Sequence, residues 1–152
     1  MTPARHRIFL LSPANAAGVR AQTVITPHVG EIARLMKYDE KDIEDNEPDV
    51  ALEAAARFGG VVVLKSDTTC IATGGDVYTY DGGSVGLATS GSGDSLAGIV
   101  VGLSARGADP LTAALWSVWA HGSAGRRLSR RVGRIGFLAR ELLDELPRLV
   151  GR

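Results

Sequence analysis

The run Ser90-Gly91-Ser92-Gly93-Asp94 places together the residue types that phosphoryl chemistry needs. Glycines let the backbone approach an anion closely, and the first amides of a helix point outward, unpaired and partly positive. From Ser92 to Arg106 small and apolar residues recur at helical spacing, which puts Gly91-Ser92-Gly93 at a helix start and Asp94 in its first turn. The dipole there favours the carboxylate, which can then accept a proton from a hydroxyl attacking a phosphoryl group. On these residues alone, a plain loop with Asp94 complementing the dipole fits equally well.

The rest of the chain must hold that run in place. Thr23-Val24-Ile25 is a short β-branched stretch closed by Thr26-Pro27, a strand running into a loop. Ile32, Leu35 and Met36 mark one face of a helix over 29–37. Pro48 suits the first turn of a helix whose apolar positions run to a stop at Gly59-Gly60. Val61-Val62-Val63-Leu64 then reads as a strand buried on both faces. Thr69–Thr73 and Val77–Tyr80 flank Gly74-Gly75-Asp76 and predict a hairpin, with Gly82, Gly83 and Gly86 as a flexible passage beyond it. Gly107 ends the motif helix. Asp109-Pro110 caps a second one reaching about Arg127, and a last helix near Phe137–Leu146 is expected to close at Pro147. Strand, helices, strand, hairpin and helices give an α/β fold, expected as a single domain over 1–152 with a poorly defined segment at 1–20.

Composition narrows the function. Of 152 residues 45% are hydrophobic, and 17 basic residues balance 17 acidic ones. A net charge of zero offers no clustered basic excess for nucleic acid or an anionic membrane, so small-molecule chemistry is favoured. No stretch approaches the ~20 apolar residues of a membrane helix, and Ile8-Phe9-Leu10-Leu11 is too short for a signal segment; a cytoplasmic protein is expected. Cys70, alone in an apolar run, reads as a packed core thiol. Seven of the eleven residues from Asp39 to Asp49 are acidic, but their spacing matches no calcium loop, so a solvated loop entering a helix is expected there. Five arginines between 126 and 134 read as a solvated helix end, and no metal ligands are assigned.

In context, Gly86-Leu87-Ala88-Thr89-Ser90-Gly91-Ser92-Gly93-Asp94-Ser95-Leu96-Ala97-Gly98 closely resembles the signature of the ADP/ATP-dependent NAD(P)H-hydrate dehydratases, which have a ribokinase-like fold. Thr26-Pro27-His28-Val29-Gly30-Glu31 resembles the TPHPGE loop of that family, Val63-Leu64-Lys65 its strand into KGxxT, and His121-Gly122-Ser123-Ala124-Gly125 its helical HG-x-AG segment, all in the family's order. The resemblance implies a three-layer α/β/α fold lacking the N-terminal strands. It also implies that the hydroxyl of a hydrated nicotinamide ring is phosphorylated by ADP or ATP, with Mg2+, and that phosphate is then eliminated to restore NADH or NADPH. By this match Asp94 is the base and a substrate contact, and His28 touches the hydrated dinucleotide. Lys65, Ser66, Asp67, Thr68, Thr69, Gly91, Ser92 and Gly93 meet the nucleotide.

Several positions depart from the family pattern. Ser66 stands where glycine follows the lysine, Ser90 replaces the first glycine of GGSGD, and Arg126 follows the helical motif where an acidic residue is commoner. Only some 20 residues precede the TPHPGE-like loop, where the family carries several further strands. A sheet without those strands would keep an open edge and a bare apolar surface, which predicts a homo-oligomer. Two other functions fit the same residues: a ribokinase-like kinase for a sugar or hydroxymethylpyrimidine, and a non-catalytic nucleotide-binding remnant.

Overall fold

The computed structural model describes residues 23–150; the expected segment 1–20 lies outside the described residues. Strand β1 (Val24–Ile25) leads into helix α1 (Val29–Met36), a short α2 (Glu40–Glu44) and α3 (Glu47–Phe58). Then come β2 (Val61–Leu64), β3 (Thr69–Ala72) and β4 (Val77–Tyr80), a 3-10 turn (Val85–Ala88), and helices α4 (Ser92–Ala105), α5 (Pro110–Arg131) and α6 (Glu141–Val150). The sheet has the order β1-β2-β3-β4. β1 pairs parallel with β2, Val24 opposite Val61, while β3 and β4 continue antiparallel as a hairpin.

Alternation along the strands sorts the core into two layers, one on each face. Ile25, Val62, Leu64, Cys70 and Ala72 meet α1, α2 and α3 through Ile32, Ile43, Ala51, Ala54 and Phe58. Val24, Val61, Val63 and Ile71 meet α4 and α5 through Leu96, Val100, Ala113, Ala114 and Val118. The result is the expected three-layer α/β/α arrangement. Cys70 is the buried core thiol that the apolar run around it implied.

The caps explain several boundaries. Gly59 ends α3 in the left-handed region at φ 68°, where glycine carries no Cβ penalty. Asp109 accepts from the Thr112 amide at 3.0 Å and starts α5, with Pro110 in its first turn.

Other expectations need correction. The acidic stretch is no plain loop: it forms α2, because Ile43 is fully buried and anchors one turn among the carboxylates. Gly74 and Gly75 do not lie in the left-handed region, so the hairpin turn does not depend on their freedom. The glycine passage is pinned rather than flexible. Tyr80 donates to the Gly82 carbonyl at 3.1 Å, Arg126 donates to the same oxygen, and Gly86 is buried against Phe137. α5 continues four residues past Arg127. The last helix starts only at Glu141, whose carboxylate accepts from the Leu138 amide at 2.7 Å, and it runs through Pro147 rather than ending there. The backbone acceptor that Pro147 leaves without its donor belongs to exposed Leu143, so water can satisfy it.

The arginine-rich end of α5 is solvated as expected, with Arg127, Arg130, Arg131 and Arg134 exposed and only Arg126 half-buried. Arg127 and Arg131 reach the buried Glu145 at 3.8 and 3.2 Å and tie α6 to α5. Arg126 bonds the Tyr80 hydroxyl at 2.8 Å and Ser123 at 3.0 Å.

Packing against Gly86 gives a test. A Cβ built there would overlap the Phe137 ring and lie 2.9 Å from the Arg134 carbonyl oxygen, which is backbone and yields little. Gly86→Ala is expected to lower stability by about 1–3 kcal/mol, whereas Gly74→Ala, with nothing within 4 Å, changes it by less than about 0.5 kcal/mol. Denaturant unfolding of the two variants checks the contrast, and equal losses would contradict it.

Candidate functional site

The carboxyl ends of β1 and β2 meet the N-terminus of α4, and a cleft of about 810 Å³ opens between them. Its wall includes His28, Lys65, Ser66, Asp67, Thr69, Ser92 and Gly93 among the residues singled out from the sequence. Thr68, Gly91 and Asp94 stand beside the cleft without lining it. Asp94 is half-buried in the first turn of α4 and its charge acts on Lys65.

His28 ends the first strand segment and begins α1. A parallel bridge joins it to Lys65, and the Lys65 amide donates to the Pro27 carbonyl at 2.8 Å. Nδ1 of His28 accepts from the Glu31 amide at 3.3 Å while the Glu31 carboxylate accepts from the His28 amide at 3.0 Å, a reciprocal cap. The same carboxylate lies 3.9 Å from the Lys65 ammonium. Burial pushes the Lys65 pKa down, and the charges of Glu31 and Asp94 oppose the shift.

Gly91 precedes α4 at φ 84°, a conformation that a side chain would strain, and no side chain caps this helix. The Ser92 amide donates to the Thr89 carbonyl at 3.2 Å, and the Gly93 and Asp94 amides stay available. Lys65 leans over them: a Cβ on Gly93 would sit 3.1 Å from Nζ. An ammonium beside the positive end of a helix is a repulsive arrangement that an anion between them relieves. Ser66 does not intrude, because its hydroxyl turns back to donate to the Thr68 carbonyl at 2.6 Å.

Three contributors escaped assignment from the sequence. Glu31 belongs to a quoted motif but received no role, although its spacing of three from His28 is that of a capping box. His121 of α5 reaches under α4 and places Nε2 2.9 Å from the Ser92 hydroxyl and 3.0 Å from the Ser92 carbonyl oxygen. Tyr80 forms the far wall, packed where Gly122 leaves no Cβ; no sequence period pairs two residues so far apart.

The model for the NAD(P)H-hydrate dehydratase family matches residues 8–148. The ADP-dependent (S)-NAD(P)H-hydrate dehydratase of Xanthomonas campestris is 44% identical over 143 residues, which are 93% of this chain and 50% of that protein. The Bacillus subtilis ADP/ATP-dependent NAD(P)H-hydrate dehydratase, co-crystallised with ATP/Mg2+, superposes with a TM-score of 0.80 at 32% identity, covering 90% of this chain and 53% of that one. A ribokinase-like superfamily protein of Enterococcus faecalis gives 0.78 at 28% identity, over 95% and 49%. The chain thus spans about half the length of these relatives and shares their fold. Among the described residues no helix is long and apolar enough to cross a membrane.

The buried imidazole sets a pH test. Burial, opposed by the Ser92 carbonyl and helped by the Lys65 charge, depresses the His121 pKa from 6.5 to about 4. As pH falls below 6.5 the unfolded chain takes up a proton that the native state refuses, so this part of the stability is present above 6.5 and is lost towards 4. At about pH 5 the loss is about 2 kcal/mol. His121→Gln removes it, so the stability of the variant should fall less steeply than that of the wild type between about pH 7 and 5. Parallel curves from urea unfolding would show that His121 is not held neutral.

Proposed function

The chain belongs to the NAD(P)H-hydrate dehydratase family, and on that premise we propose that it carries the phosphoryl-transfer site of an ADP- or ATP-dependent NAD(P)H-hydrate dehydratase. The observation that carries the reading is the half-buried Lys65 ammonium held against Gly93 at an uncapped helix start. Two positive elements converge on one point in the cleft, which suits the terminal phosphate of a nucleotide.

Each side chain then has a task. Lys65 and the first amides of α4 hold the transferring phosphoryl group, while the turn from Ser66 to Thr69 borders the nucleotide. Asp94 takes the proton from the ring hydroxyl as its oxygen attacks phosphorus, and the nucleotide leaves one phosphate shorter. Elimination of the new phosphate ester restores the dihydronicotinamide. His28, bridged to Lys65 at the end of β1, contacts the hydrated dinucleotide. No three His, Cys, Asp or Glu side chains gather among the described residues to cage a metal ion, so Mg2+ enters as companion to the nucleotide phosphates, which commonly hold it.

Incubation with hydrated NADH and ADP or ATP, followed by recovery of the dihydronicotinamide absorbance, tests the reading. Asp94→Asn should lower the rate by about 10²–10⁴-fold while ADP still raises the melting temperature. Stabilisation by ADP with no recovery in the wild type would favour a non-catalytic nucleotide-binding protein instead.

A further inference from the structure

Helix α4 poses a mechanical problem. Its first turn must keep its amides free for an anion, so it cannot use the common device of a capping side chain that occupies them. Gly91 offers no side chain, and the local bonds at this start, Ser92 amide to Thr89 carbonyl at 3.2 Å and Ser95 hydroxyl to Gly91 carbonyl at 3.2 Å, leave the Ser92 carbonyl unheld. That restraint comes from α5. Ser92 is buried, and the only described side chain with recorded hydrogen bonds to it is that of His121, 29 residues further on in α5. With its hydrogen on Nε2 the ring donates towards the Ser92 carbonyl, which can only accept, and the hydroxyl shares the contact. Holding the turn by a carbonyl leaves the Gly93 and Asp94 amides available.

We propose that His121 is a positioning residue for phosphoryl transfer: it fixes the first turn of α4 from its carbonyl side, so that the Gly93 and Asp94 amides and the Asp94 carboxylate meet the phosphoryl group in a preset geometry. This assignment rests on the phosphoryl-transfer reading of the same cleft. It accounts for a polar side chain placed at the cleft end of two helices that otherwise meet through apolar residues such as Leu96, Val100, Ala114 and Val118. A neutral imidazole also suits the position, since a second full positive charge beneath Lys65 would bind phosphate in its own right and compete for it.

His121→Ala and His121→Gln in the full chain separate positioning from mere packing, because the glutamine amide can return an N–H to the place of Nε2. His121→Ala should weaken ADP binding and lower kcat, each by about tenfold or more. His121→Gln should recover most of both. Hydrogen exchange of the ligand-free protein is expected to speed up over residues 92–98 in the alanine variant and not in the glutamine one. If the alanine variant matches the wild type in ADP affinity and in exchange, or if glutamine rescues neither, the proposal is overturned. If the wild type neither binds ADP nor restores NADH, the phosphoryl-transfer reading fails, and the positioning role in catalysis falls with it whatever the exchange shows.

Discussion

Positive charge is crowded at the head of α4. The Lys65 ammonium lies close to Gly93, at the end of a helix whose own dipole is positive there. Left to itself Lys65 would swing into water, as lysines do, yet it is buried enough for its pKa to fall. What confines it is backbone: Lys65 continues β2, and its bridge to His28 and its bond to the Pro27 carbonyl fix where the side chain departs. Glu31 offsets part of the charge from 3.9 Å without neutralising the helix end. The remaining positive potential points into the cleft, and most of the architecture serves to keep it there.

The sheet does this through direction. β1 and β2 are parallel, so both release their chains at the same end, where ligands collect in open α/β sheets. α1, α2 and α3 fill the crossover between them on one face, while α4 and α5 cover the other. α4 therefore starts at the level where the strands finish, and its amides face the residues that follow β2. β3 and β4 widen the sheet antiparallel and carry Tyr80 to the far wall.

Much of this was legible in the sequence because it follows short-range rules. Val61–Leu64 could only be a doubly buried strand, and Asp109-Pro110 could only begin a helix. The glycine turn that starts α4 was visible because glycine at 91 and 93 and aspartate at 94 have a local reason to be adjacent. What stayed hidden depends on partners distant in the chain. Gly82 and Gly86 looked like freedom and proved to be room for Arg126 and Phe137, and Gly122, read only as part of a helical motif, makes room for Tyr80. Ile43 seemed lost among carboxylates until the floor formed by α3 made its burial worthwhile. Pro147 was read as a stop by a rule about lost hydrogen bonds that has little force where the freed carbonyl faces water. His121 drew no role because nothing in α5 announces that its imidazole meets Ser92.

The cap on α1 limits what His28 can do under the proposed reaction. Its Nδ1 accepts the Glu31 amide, so that nitrogen carries no hydrogen and the neutral ring bears it on Nε2. Nε2 is then a donor. It can orient a polar group of the dinucleotide, but it cannot take a proton from a substrate hydroxyl unless the ring first gives up its cap. Asp94, in the first turn of α4 and free of any capping duty, has no such conflict. Under that reaction, the division between a side chain that orients the substrate and one that moves the proton follows from which side chains the helix starts have already engaged.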